Sequence, residues 1–208
     1  MKKLLLGLIF SSFIGLAVAG DDDSSGTPSP SAAPTPPTAL VTKLRGTVLF
    51  GGIQLKEGDI IDKVGKIETK NKSYLQVKVD KWKNFISIGP NSVMELNFAD
   101  DKKYTLEEGT CRWKGFGESA SKGKIFTKRV ALGVRGTDFF LKYTPVLDET
   151  EVVMFDGEVK MDNLKDANNT AVIKKGQWGG IGGRFGEKIG NILDLPQSLL
   201  VNFEKALE

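Results

Sequence analysis

From residue 44 onward the chain keeps returning to a two-residue period, and that period admits few folds. In Tyr74-Leu75-Gln76-Val77-Lys78-Val79-Asp80, the residues Leu75, Val77 and Val79 point one way, and Tyr74, Gln76, Lys78 and Asp80 the other. This is the pattern of a strand with one buried face. Phe85-Ile86-Ser87-Ile88 follows, closed by the turn Gly89-Pro90-Asn91-Ser92, before Val93-Met94-Glu95-Leu96 resumes. Glu151–Phe155 and Glu158–Met161 flank Asp156-Gly157, a dipeptide suited to a tight reversal, and Ala171-Val172-Ile173 adds a further strand. Strands roughly every 8 to 12 residues, punctuated by glycine, predict a mainly β sandwich, barrel or solenoid.

The two ends depart from this rhythm. Met1-Lys2-Lys3, an apolar run over 4–18 and Ala17-Val18-Ala19 read as a signal peptide cleaved after residue 19. No cysteine follows the apolar run, which excludes a lipidated N-terminus. No stable membrane span is expected after cleavage, because a span needs about 20 apolar residues. Residues 20–39 hold Asp21-Asp22-Asp23 and five of the chain's eight prolines, and read as an extended linker. Metal binding by that flexible acidic run would be weak and unselective. At the other end, Leu199, Leu200, Phe203 and Leu207 recur at helical spacing behind Pro196, predicting a short amphipathic helix docked on the β domain. The glycine-rich run 179–186 lacks dinucleotide-binding spacing. The organisation expected is a leader over 1–19, a linker over 20–39, a β domain over 40–178, and a glycine-rich segment with a helix over 179–208.

Residue types narrow the chemistry. The chain has no histidine, so histidine-based nucleophilic triads and histidine-ligated zinc are impossible. Its single cysteine, Cys111, excludes an internal disulfide. On an alternating segment Cys111 shares a face with Trp113, either as a buried thiol or as the site of an intermolecular disulfide. Removing Lys2 and Lys3 with the leader takes the formal charge from +3 to +1 (3 − 2), which gives no global case for nucleic acid. The local basic run Lys122, Lys124, Lys128, Arg129 and Arg135 reads as a solvated face offset by Glu107, Glu108, Asp148, Glu149 and Glu151. Adjacent carboxylates such as Asp100-Asp101 or Glu107-Glu108 point to opposite faces of a strand, so no catalytic pair is expected. No cofactor is implied.

Several segments, in order, resemble the FecR domain. Gly46-Thr47-Val48 and Leu55-Lys56-Glu57-Gly58-Asp59-Ile60-Ile61 are similar to its opening strand and turn, and Ile86–Ser92 to its "I-x-L-x-P-N-S" turn. Leu106-Glu107-Glu108-Gly109 resembles its "L-x-x-G" step. Ala131–Phe139, containing Arg135-Gly136-Thr137, is close to its "A-V-R-G-T-x-F" core. Val152–Val159 and Lys175-Gly176-Gln177 match its closing segments, so the resemblance spans about 44–178. It implies an extracytoplasmic β-solenoid or sandwich-like module that binds and does not catalyse. The best-known members join a cytoplasmic sigma-factor-binding region to a periplasmic part that receives a signal from an outer-membrane transporter. This chain shows neither that region nor room for a further receiver subdomain, so the anti-sigma activity is not carried over. Gly58, Asp59, Arg135, Gly136 and Thr137 are motif positions. Arg135 is read either as an internal staple reaching carbonyls or Asp59, or as a ligand-binding arginine.

The function expected is an exported, non-catalytic binding or scaffold protein of the periplasm or cell surface, recognising a protein or an envelope polymer. The alternative is a periplasmic component of a FecR-type relay for iron uptake. Two loops, 115–123 and 162–169, are polar and glycine- or asparagine-rich, interrupt the strand rhythm, and are read either as contact surface or as plain connectors. Within the first, Phe116, Glu118 and Lys122 are the candidate partner-binding residues, with Phe116 as an exposed anchor.

Overall fold

The computed structural model describes residues 38–98, 103–116 and 122–206. The leader, residues 20–37 of the linker, Asp100-Asp101, Glu118 and Leu207 lie outside the described residues. Residues Thr35–Glu208 form one unit.

Its strands run in chain order. The first nine are β1 (Ala39–Arg45), β2 (Val48–Phe50), β3 (Ile53–Gln54), β4 (Ile60–Ile61), β5 (Gly65–Thr69), β6 (Tyr74–Val79), β7 (Asn84–Ile88), β8 (Ser92–Asn97) and β9 (Lys103–Gly115). After them come β10 (Lys122–Phe126), β11 (Val130–Arg135), β12 (Asp138–Thr144), β13 (Glu149–Asp156), β14 (Glu158–Asn163), β15 (Thr170–Lys174), β16 (Gln177–Ile181) and β17 (Leu193–Asp194). One helix, α1 (Gln197–Ala206), closes the described chain. The protein is mainly β, as the alternation predicts. The β6 residues Leu75, Val77 and Val79 are fully buried, whereas Tyr74, Gln76 and Lys78 are half-exposed.

The strands form two sheets that share β9. The first sheet has the order β4-β1-β6-β7-β9-β12-β13-β16-β17. The second has the order β3-β2-β5-β8-β9-β10-β11-β14-β15. Among the described residues every pairing is antiparallel except β9 with β10. The N-terminal half of β9 pairs with β8 in the second sheet, and its C-terminal half pairs with β7 and β12 in the first. Gly109 stands at the change, with φ +88°. There a Cβ would lie 2.7 Å from the Ser92 Cα, so two backbones approach as only glycine allows.

Side chains from both sheets fill one core. Val77, Ile86, Cys111 and Leu141 come from the first sheet, and Ile67, Met94, Leu106 and Leu132 from the second. Edge-to-face contacts link Trp82, Tyr104 and Trp113 at 5.3 and 5.2 Å. Cys111 is fully buried beside them, and burial pushes its thiol up to about 12. The thiol is therefore the buried kind.

The chain repeats itself in space. Strands β5 to β8 run second sheet, first, first, second, as β11 to β14 do, and β15 with β16 do in two pieces what β9 does in one. In each copy a hairpin in the first sheet turns through a 3-10 segment, Asp80–Trp82 or Pro145–Leu147. Each segment ends on a non-glycine residue at positive φ, Lys83 at 50° or Asp148 at 45°, 65 positions apart (148 − 83).

Three expectations are corrected. Asp156-Gly157 does not close a hairpin: β13 pairs with β12 and β16, and β14 with β11 and β15. Gly157 is instead a corner between sheets, with φ +75° and room limited by Thr137 and the Gly136 carbonyl. The glycine-rich run begins inside β16, whose Gly179, Gly180 and Ile181 are buried, so the sheet crosses the 178/179 boundary. A Cβ on Gly180 would strike the Phe185 ring and the Thr150 carbonyl. Arg129 is no part of a solvated face. It is 2% exposed, with ion pairs to Asp148 at 3.2 Å and Glu187 at 3.1 Å. Those pairs hold the Asp148 turn, whose carboxylate also accepts from the Tyr143 hydroxyl at 2.9 Å.

Candidate functional site

The outward face of the first sheet is divided by what covers it. Across the strands, Phe140, Val153 and Trp178 stand in one row through paired positions of β12, β13 and β16. Helix α1 lies over them, burying Leu200 and setting the Phe203 ring 5.8 Å from Phe140. The same row continues the other way through Arg112, Ser87, Gln76 and Lys43 on β9, β7, β6 and β1. Helix α1 does not pack on this half, where Arg112 and Ser87 are buried, Gln76 is half-buried and Lys43 is exposed.

Arg112 marks the border. Its guanidinium donates from Nε and Nη2 to both carboxylate oxygens of Asp138, each at 2.8 Å, and lies 4.8 Å from the Phe155 ring centre. Only 6% of the arginine side chain is exposed. A forked pair with a ring beneath it holds one geometry, because guanidinium and carboxylate planes match in two bonds.

Beyond that border the open half forms a groove of about 420 Å³. Its floor is the polar set Tyr74, Gln76 and Ser87. The Tyr74 hydroxyl donates to the Ser87 hydroxyl at 3.0 Å, and the Gln76 amide donates to the same oxygen at 3.3 Å. Phe85 and Phe116 form the wall, with ring centres 5.0 Å apart. Lys43 and Lys114 stand at the rim, and the ammonium groups of Lys78 and Lys83 lie 5.5 and 5.9 Å from the Phe116 ring centre. Asp138 is engaged by Arg112 and lies 3.8 Å from the Lys114 ammonium, and Asp80, whose carboxyl is lowered by the hydrogen bond from Lys78, pairs with that lysine at 2.7 Å. The groove's remaining charge is positive.

The positions singled out from sequence fall in different places. Phe116 joins the groove: its amide donates to the Lys83 carbonyl at 2.8 Å, which fixes a half-buried ring against Phe85 rather than leaving an exposed anchor. Glu118 and the Lys122 side chain lie outside the description. Gly58 and Asp59 form a turn: Gly58 has φ +88°, and the Asp59 carboxylate accepts from the Lys56 amide at 2.8 Å. Gly136 turns the chain at φ +57°, and Thr137 is buried against Gly157. The Arg135 side chain is likewise outside the description. The 162–169 loop has structural duties, since Leu164 donates to the Arg129 carbonyl and Ile189 to the Asn169 side chain.

Glu149 and Glu151 share the outward face of β13, and both are buried. Arg184 pairs with each, through Glu149 at 3.1 Å and Glu151 closer still, while lying over Trp178. Sequence reading had the groove's Tyr74–Lys78 face but not Lys43, Arg112 or Lys114. Those residues meet only through strand pairing, which no local pattern reports.

Two crystal structures from Parabacteroides distasonis, each described as that of a "putative anti-sigma factor", have a similar architecture. One aligns with a TM-score of 0.53 at 13% identity, over 67% of this chain and 64% of that chain. The other aligns at 0.51 and 14%, over 62% and 58%. The likeness is one of fold. This chain spans about three fifths of the solved chains it matches. No protein-family profile matches the chain, and no curated protein does.

Proposed function

We propose that this chain is a non-catalytic binding domain, exported to the bacterial envelope, that presents the open half of its first sheet to a protein or an envelope polymer. The single observation that carries this reading is the preset groove. Its floor, wall and border are held by the protein's own hydrogen bonds and ring contacts, so a ligand meets side chains already in place. The absence of histidine supports a non-catalytic role, and so does the engagement of Glu149 and Glu151 by Arg184. Export rests on the leader-like first 19 residues. No helix among the described residues is long and apolar enough to cross a membrane. The test is capture from solubilised envelope by the immobilised chain, with a Lys43→Gln/Lys114→Gln variant alongside. Specific retention that the variant loses is the expected result. Equal retention by both proteins would move the contact surface elsewhere.

A second reading is a part in FecR-type signal relay for iron uptake, with the ordered FecR-like segments and the fold likeness in its support. Deleting the gene should then change transcription of an iron-uptake operon. Unchanged transcription under iron limitation would remove this reading.

A further inference from the structure

We infer that the groove on the first sheet takes an anionic saccharide, a short run of sugars bearing carboxylate or phosphate groups. This rests on the groove being the binding surface, and goes further by naming the ligand's chemistry. Three features of the groove match three parts of such a ligand. The Phe85 and Phe116 rings offer an apolar wall for the C–H face of a sugar ring. Tyr74, Ser87 and Gln76 can each donate and accept, as ring hydroxyls do, and they already hydrogen-bond to one another. The rim cations are Lys43 and Lys114, exposed ammonium groups on long stems that follow a charge without fixing its orientation; Lys114 also stands 3.8 Å from the Asp138 carboxylate, an exposed pairing that a ligand anion can replace. Arg112, whose fork would demand one planar partner, is held by Asp138. A cavity of about 420 Å³ lies within the range of small-ligand sites, roughly 300–1,000 Å³.

An acidic peptide fits less well. Strands β6, β7 and β9 are paired on both sides along the groove floor, so their backbone groups are spent in the sheet. A peptide read by strand addition needs an open edge, and this surface is a sheet face.

The test is titration calorimetry on the full-length chain with trigalacturonate, its methyl ester as the uncharged counterpart, and triglutamate as the peptide control. The expected result is binding of trigalacturonate that weakens at high salt, with the ester at least about tenfold weaker. Lys43→Gln/Lys114→Gln should also weaken it about tenfold with an unchanged melting curve, because both lysines are exposed. Phe116→Ala should weaken acid and ester alike. Equal binding of acid and ester, no binding of either, or triglutamate binding as tightly would each overturn the saccharide assignment. If the saccharide fails while envelope capture still depends on Lys43 and Lys114, the groove remains the binding surface and only the ligand class falls.

Discussion

Gly58 and Gly109 share a φ of +88° and differ in everything around them, which makes them a controlled pair. Replacing either by alanine places a side chain at a backbone angle that L-residues rarely adopt, at a cost of about 1–2 kcal/mol. The unfolded chain also loses freedom, which offsets about 0.4–1 kcal/mol at both positions. At Gly58 nothing lies within 4 Å of the new Cβ, so Gly58→Ala should cost about 1 kcal/mol. At Gly109 the Cβ would meet the Ser92 Oγ at 2.2 Å, its Cβ at 2.6 Å and its Cα at 2.7 Å. A hydroxyl can rotate aside, but the Ser92 backbone is held by β8 pairing with β5 and β9. Overpacking adds about 1–3 kcal/mol, for a total near ~3 kcal/mol. A domain of this size loses about 2–4 °C per kcal/mol, so the melting temperature should fall by about 3 °C at Gly58 and about 9 °C at Gly109. Urea and thermal melts followed by circular dichroism read both numbers. Equal losses at the two positions would refute the claim that close backbone approach, and not φ alone, fixes the crossing of β9 between sheets.

Three further outcomes are expected. Asp138→Ala leaves the nearly buried Arg112 guanidinium without its forked partner, and should cost about 3 kcal/mol by urea melts; a loss under ~1 kcal/mol would show that the pair is solvated. Cys111 should resist thiol reagents in the folded chain, and its thiol, raised from 9.0 to about 12, sets a sign for alkaline stability. That contribution is constant below pH 9 and declines through pH 9–12, where the unfolded chain ionises and the folded one does not, so Cys111→Ala should flatten the alkaline decline relative to wild type. Leu200→Asp should release α1, because a ten-residue helix is marginal without its packed face; hydrogen exchange should quicken over 197–206 while β6 and β13 stay protected, and loss of protection in β13 would mean the helix is integral to the sheet.

What was legible in the sequence was whatever is local. The alternation in β6 reports burial within one element, and the spacing behind Pro196 places a helix where one is found, with Leu200 buried and Phe203 half-buried but Leu199 45% exposed. The sheet to which a strand belongs is a different kind of fact. Asp156-Gly157 has the composition of a hairpin turn, yet positive φ at glycine serves a corner between layers equally well. The choice is made by Thr137 and Gly136 pressing from another part of the chain. Arg129 likewise looks like its neighbours Lys124 and Lys128 until Asp148 and Glu187 arrive from 19 and 58 positions away (148 − 129 and 187 − 129). The internal repeat escapes notice because its copies share corners and turns rather than residue types: Lys83 and Asp148 do the same work with opposite charge. The groove follows the same rule, since its rows are assembled across four strands.

The sharing of β9 between the sheets has a consequence for how the molecule is made. In chain order, β9 completes the first copy of the repeat and then waits for β10 to pair with one half and β12 with the other. Until they arrive, the longest strand of the protein presents two unpaired edges, one on each layer, with Cys111 and Trp113 on its inner side. Such an edge is a template for any second strand, including one from another molecule. The interval between the arrival of β9 and the closing of β12 is therefore the moment of greatest exposure to misassembly. Damage to β12 should be felt first as lost yield of soluble protein, before any change is measurable in the protein that does fold.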